Sequence, residues 1–203
     1  MIKVGVLELQ GGFSLHHKIL KKIEVESFSV KSSSDLSKID GLIIPGGEST
    51  TISLLIDSFD LYKSLINFGL SHPVLGTCAG LILMAGKNND DRINSLKMLD
   101  IFVERNAYGR QIASSEELVQ FHLGINSKLD LLTTFIRAPR IKHISKKTIV
   151  LGKFKGDPIA VLEGNHLGLT FHPELNSIDI FHRILFDESS QFFHKNIIKS
   201  YAA

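Results

Sequence analysis

The chain has almost no cysteine: Cys78 is the only one among 203 residues. A lone thiol excludes an intrachain disulfide and any metal site built on a cysteine pair. The nine histidines are scattered, with His16-His17 the only adjacent pair and no HExxH spacing. Neither a metal nor a cofactor is expected. An excess of one charge is missing too. With a net charge of +2, nothing electrostatic favours nucleic acid or an acidic membrane surface as a partner. No apolar run reaches the ~18 residues that a membrane-spanning helix needs. Met1-Ile2-Lys3 leads straight into a strand-like run, without an apolar leader ending in a small-residue cleavage site. The expectation is a soluble cytoplasmic protein, where a free thiol survives well. Repeats and low-complexity tracts are absent. The length suits one well-buried core, so a single domain over 1–203 is expected.

What is present alternates. Ile2 to Leu7 reads as a buried strand ended by Gly11-Gly12, and Phe13 to Ile23 has helical apolar spacing. Val25 to Val30 and Asp40 to Ile44 follow as strands, the second closed by Pro45-Gly46-Gly47. Ser49-Thr50-Thr51 is expected to cap a helix carrying Ile52, Leu54, Leu55 and Ile56. Val74-Leu75-Gly76 is a fourth strand. Alternating strands and helices predict a mainly parallel sheet covered on both faces. From Ile101 onward the pieces are strand-like: Ile101–Val103, Leu131–Ile136, Thr148–Phe154, Ile159–Leu162 and Leu167–Phe171. They predict antiparallel strands extending or flanking that sheet. Ile178–Phe186 and Phe192–Ile198 are expected as closing helices, and the polar stretch Asn88–Asn94 as a mobile loop.

Cys78 sits in Gly76-Thr77-Cys78-Ala79-Gly80, between an apolar strand and an apolar helical run. A strand entering a helix through small residues is a nucleophile elbow, with the reactive side chain at its apex. Read alone, the same cysteine is equally well a small buried apolar side chain. An ordinary thiol is mostly protonated at neutral pH, so a nucleophile needs a base, and the base an orienting group. His143 and the Phe171-His172-Pro173-Glu174 step compete for that role. The second is more constrained, because Pro173 favours an extended His172 and residues two apart on a strand share a face. The step is otherwise a polar turn at a strand end. Ala79 N–H, just after the nucleophile, and the Gly46-Gly47 turn at the end of a neighbouring strand are candidate oxyanion donors. No GK[ST] follows those glycines, which excludes a phosphate loop.

With these blocks in order, the chain resembles the triad (class I) glutamine amidotransferases, and closely the glutaminase subunits of pyridoxal 5′-phosphate synthases. The resemblance rests on Val6–Gly11, Gly41–Thr51, Gly76–Gly80, Val103–Gln111, Phe135–Pro139 and Phe171–Leu175. It implies a three-layer, flavodoxin-like α/β sandwich. It also implies hydrolysis of L-glutamine, with ammonia passed to a separate pentose-phosphate-binding barrel subunit in a large heteromeric complex that makes pyridoxal 5′-phosphate. Carried over by position, Cys78 is the nucleophile, His172 the acid/base and Glu174 its orienter. Gly47 and Ala79 hold the oxyanion. Gly47, Glu48, Ser49, Arg105, Ile136 and Arg137 contact glutamine, and Gln10 belongs to the interface. Ser114-Ser115-Glu116-Glu117 departs from the pattern, and Leu118–Thr134 matches poorly. The alternatives are a glutaminase serving another synthase, separated by which subunit co-purifies, and a non-catalytic binding protein on the same scaffold.

Overall fold

The structure, a computed structural model, describes residues 2–105, 114–124 and 127–202. Of the Arg-Asn-Ala-Tyr-Gly-Arg-Gln block only Arg105 is among them; 106–111 lie outside the described residues. A nine-stranded sheet organises the chain. Its parallel half runs β2 (Glu26–Val30), β1 (Lys3–Leu7), β3 (Gly41–Ile44), β4 (Val74–Thr77), β12 (His166–Leu169). The sheet continues antiparallel through β11 (Asp157–Glu163), β10 (Ile149–Phe154), β7 (Ser114–His122) and β8 (Lys128–Ile136).

Central strands buried on both faces read as near-continuous apolar runs, and Leu42–Ile44 of β3 and Val74-Leu75 of β4 are such runs. Leu42 and Ile44 point into one core with α2 (Ser33–Leu36), α3 (Ser49–Ser58), α4 (Tyr62–Gly69) and α5 (Ala79–Met84). Ile43 and Leu75 point into the other, with α1 (Phe13–Lys22), α6 (Ile180–Phe186) and α7 (His194–Ala202). Helices on both faces give the three expected layers.

The second half differs from expectation. β12, which overlaps the expected antiparallel piece Leu167–Phe171, pairs parallel with β4. β5 (Ala85–Asn88), β6 (Leu99–Glu104) and β9 (Arg140–Ile144) form a separate three-stranded sheet, with β5 and β6 parallel. β7 and β9 are strands outside the expected set. The apolar run after Cys78 turns helical for only six residues. Ala85 then becomes extended (φ −60°, ψ 148°) and starts β5. The Asn88–Asn94 stretch, expected as a mobile loop, is a cross-linked turn. Asp90 N–H donates to Asn88 Oδ1 at 2.8 Å, Arg92 pairs with Asp90, and Ile93 is buried.

The register sets the site. Ile44 lies opposite Gly76, so the carboxyl ends of β3 and β4 carry Pro45–Ser49 and Cys78 out side by side. That is where open α/β sheets bind ligands.

Candidate active site

Cys78 has φ 48° and ψ −99°, a left-handed conformation that non-glycine residues adopt only when their surroundings hold them there. The surroundings do. Cys78 N–H donates to Leu169 O at 2.8 Å, and its carbonyl accepts from Ile82 N–H at 3.2 Å. A Cβ on Gly80 would come within 2.8 Å of the Ile44 carbonyl carbon, so the helix can start this close to β3 only with glycine there. The sulfur sits at the floor of a cleft of about 320 Å³, in the small-ligand range. Its S–H faces Ile136 O at 3.8 Å.

His172 lines the cleft with Cys78, and its Nδ1 lies 2.7 Å from Glu174 Oε1 behind it. His172 and Glu174 lie past the end of β12. Their contact arises from a turn, closed by Leu175 N–H to His172 O at 3.3 Å, rather than from a shared strand face. A Cβ on Gly46 would lie 2.9 Å from His172 Nδ1 and 3.4 Å from Cys78 Cβ, so glycine makes room where the two side chains converge. Burial alone would depress the imidazole. Interaction with Cys78 and Glu174 outweighs burial and pushes it up to about 10. Burial would likewise raise Glu174, but His172 and the nearby His16 hold it below the usual carboxylate value.

The mouth of the cleft is charged. Glu48 caps α3, in place of the expected Ser49-Thr50-Thr51 cap, because its longer carboxylate reaches Thr50 N–H at 3.3 Å and Thr51 N–H at 2.7 Å. Burial opposes its ionisation, but the bonds from Thr50 and Thr51 prevail and pull it down to about 2. Arg105 Nη2 donates to Glu48 Oε1 at 3.0 Å, and its Nη1 pairs with Asp90. Sequence reasoning missed Asp90; no signal marked it beyond a polar stretch. Arg137, exposed at the end of β8, has φ 44° and lines the cleft with Ile136, Gly47 and Ser49. Gln10 lies just behind, where its Oε1 accepts from Glu48 N–H at 2.8 Å. Gly12 N–H donates to Gly46 O at 2.9 Å, a second tie on the same turn. Ala79 is buried beside Cys78 and, like Gln10, is not among the residues lining the cleft. His143, the competing histidine, stands on β9 against Phe102. Among the described residues no cluster of three or more metal-ligating side chains occurs.

A solved structure described as a glutamine amidotransferase has this architecture, with TM-score 0.82 and 35% identity. The match covers 90% of this chain and 96% of that one. The class is therefore that of the class I glutamine amidotransferases, enzymes that draw nitrogen from glutamine. Within it, the chain belongs to the SNO glutamine amidotransferase family, which matches residues 6–191. Curated relatives agree at higher identity. A protein of Shouchella clausii is 43% identical over 86% of this chain and 88% of its own. One of Dictyoglomus turgidum is 45% identical over 86% and 92%. Both are named pyridoxal 5′-phosphate synthase subunit PdxT.

Proposed function

We propose that this chain is the glutaminase subunit of a pyridoxal 5′-phosphate synthase, hydrolysing L-glutamine with Cys78, His172 and Glu174. The observation that supports the reading is the convergence of Cys78 and His172 at Gly46 in one cleft, with Glu174 Oε1 2.7 Å from the imidazole Nδ1. Cys78 attacks the side-chain amide carbon of glutamine, forming a tetrahedral intermediate. The N–H groups of Ala79 and Gly47 hold its oxyanion; one such donor is worth about 3 kcal/mol in the transition state. His172 gives its proton to the departing ammonia and leaves a thioester. The imidazole then takes a proton from water, whose oxygen displaces the thiolate and yields glutamate. Glu174 keeps the imidazole oriented and stabilises its charged form.

The mouth suits a free amino acid. Arg105 and Arg137 match an α-carboxylate, Glu48 an α-ammonium, and Ser49 and Ile136 bound the slot between them. Ammonia leaves for a synthase subunit, a pentose-phosphate-binding barrel, within a heteromeric complex. The names of the curated relatives, subunits of a pyridoxal 5′-phosphate synthase, support the existence of a synthase partner.

Ammonia release from glutamine, assayed with the synthase subunit present, tests the reading. Cys78→Ala should abolish it. Undiminished hydrolysis by that variant would rule the mechanism out.

A further inference from the structure

Behind the three residues lies a buried polar pair that this chemistry does not use. His16 on α1 and His182 on α6 are both fully buried, and His16 Nδ1 lies 2.9 Å from His182 Nε2. His16 Nε2 faces Glu174 Oε2 at 3.7 Å and Thr77 Oγ1 at 3.4 Å. Thr77 Oγ1 in turn accepts from Gly46 N–H at 2.9 Å. One imidazole therefore touches the carboxylate behind His172 and the hydroxyl beneath the glycine turn.

Hydrogen-bond accounting fixes the direction of the protons. A neutral imidazole has one donor and one acceptor nitrogen, and burial keeps both rings neutral. Suppose His16 donated from Nδ1. His182 would then carry its own proton on Nδ1, and Glu174 Oε2 would face a bare nitrogen. Neither of those two atoms has a hydrogen-bond partner among the described residues. A buried N–H and a buried carboxylate oxygen would both go unmet, which is the costly outcome. In the opposite arrangement, His182 Nε2–H donates to His16 Nδ1. His16 Nε2–H then points at Glu174 Oε2 and Thr77 Oγ1. Glu174 Oε2 then faces that N–H at 3.7 Å, an electrostatic contact longer than a hydrogen bond, and the only other unmet group is the lone pair of His182 Nδ1.

We propose that His16, braced by His182, is a positioning residue: its Nε2–H holds Glu174 in line with His172 and ties that carboxylate, through Thr77, to the Gly46-Gly47 turn. The inference rests on the glutaminase reading above. It places a link between the acid/base pair and the proposed oxyanion donors inside the core, out of reach of solvent. The titratable groups facing His16 are Glu174, His182, His172 and His17.

The test compares His16→Leu, which removes the donor, with His16→Gln, whose amide N–H reaches about the same point. Each is assembled with the synthase subunit and assayed for kcat and KM on glutamine. Cys78 is the only thiol in the chain, so its iodoacetamide alkylation against pH gives a readout that needs no turnover. By analogy with outer partners that orient metal-bound histidines, His16→Leu should lower kcat about 10- to 100-fold with KM little changed. It should also move the alkylation profile to higher pH. His16→Gln should recover most of both. Parent-like kcat and alkylation in His16→Leu would overturn the inference, as would a His16→Gln no better than His16→Leu at equal stability. Should His16→Leu not fold, His16→Asn, too short to reach Glu174, replaces it, and equal kcat in the Asn and Gln variants overturns the idea. A parent chain that hydrolyses no glutamine would sink the glutaminase reading instead, and the alkylation profiles would still decide the role of His16.

Discussion

Glu174 Oε1 lies 2.7 Å from His172 Nδ1, and Glu174 Oε2 faces His16 Nε2 at 3.7 Å. One buried carboxylate thus has a histidine at each oxygen. The first histidine lines the cleft with Cys78, and the second lies in the core.

Replacing that carboxylate by its amide keeps the shape and removes the charge. Glu174→Gln should lower kcat for glutamine about 10³- to 10⁴-fold, as removal of an orienting carboxylate does elsewhere. KM should change little, because Glu174 is placed behind the imidazole and not against the substrate. Steady-state kinetics of the complex check this.

Arg137 offers the converse separation. It is exposed at the rim of the cleft, and a charge-assisted hydrogen bond to a carboxylate is worth about 1.5–3 kcal/mol. Arg137→Ala should therefore raise KM for glutamine roughly 10- to 100-fold. The urea midpoint should stay that of the parent.

Gly80 is a packing prediction. A Cβ there would press on the Ile44 backbone, which cannot rotate aside as a side chain would. Gly80→Ala should cost about 1–3 kcal/mol or more. Denaturant unfolding measures the loss directly.

Stability should depend on pH through opposed histidines. Burial holds His16 and His182 down to about 3, against an unfolded value near 6.5. Between those values the unfolded chain binds more protons than the native one, so stability falls as pH drops from 6.5 toward 3. At pH 5 the loss is on the order of 2 kcal/mol for each ring. His172, raised to about 10, works the other way. Its contribution is complete below 6.5 and is lost as pH climbs through about 10. Unfolding free energy measured across pH should peak between these limits, and His16→Gln should flatten the acid side.

Much of this was legible in the sequence, for a physical reason. β3 and β4 are short apolar runs ended by Pro45-Gly46-Gly47 and by the cysteine elbow, and such runs are written locally. The closeness of His172 to Glu174 was legible because Pro173 constrains the step that holds both, although a turn and not a strand face brings them together. Other parts had no local mark. β7 carries Glu116, Glu117 and Gln120 on a solvent-facing hairpin, and β9 is Arg-Ile-Lys-His-Ile. Pairing with a neighbour makes these strands, and composition does not show it. His16 read as half of an adjacent pair, Thr77 as filler in the elbow, and Asp90 as loop. Their partners His182, Gly46 and Arg105 are all distant in sequence, so only folding brings them together.

The most direct measurement is intact-mass analysis after treatment with a glutamine-mimicking chloroketone in the presence of the synthase subunit. The account predicts a single adduct on the parent, none on Cys78→Ala, and a greatly slowed adduct on His172→Ala. Labelling of His172→Ala at the parent rate, or glutamine hydrolysis that persists in Cys78→Ala, would contradict it.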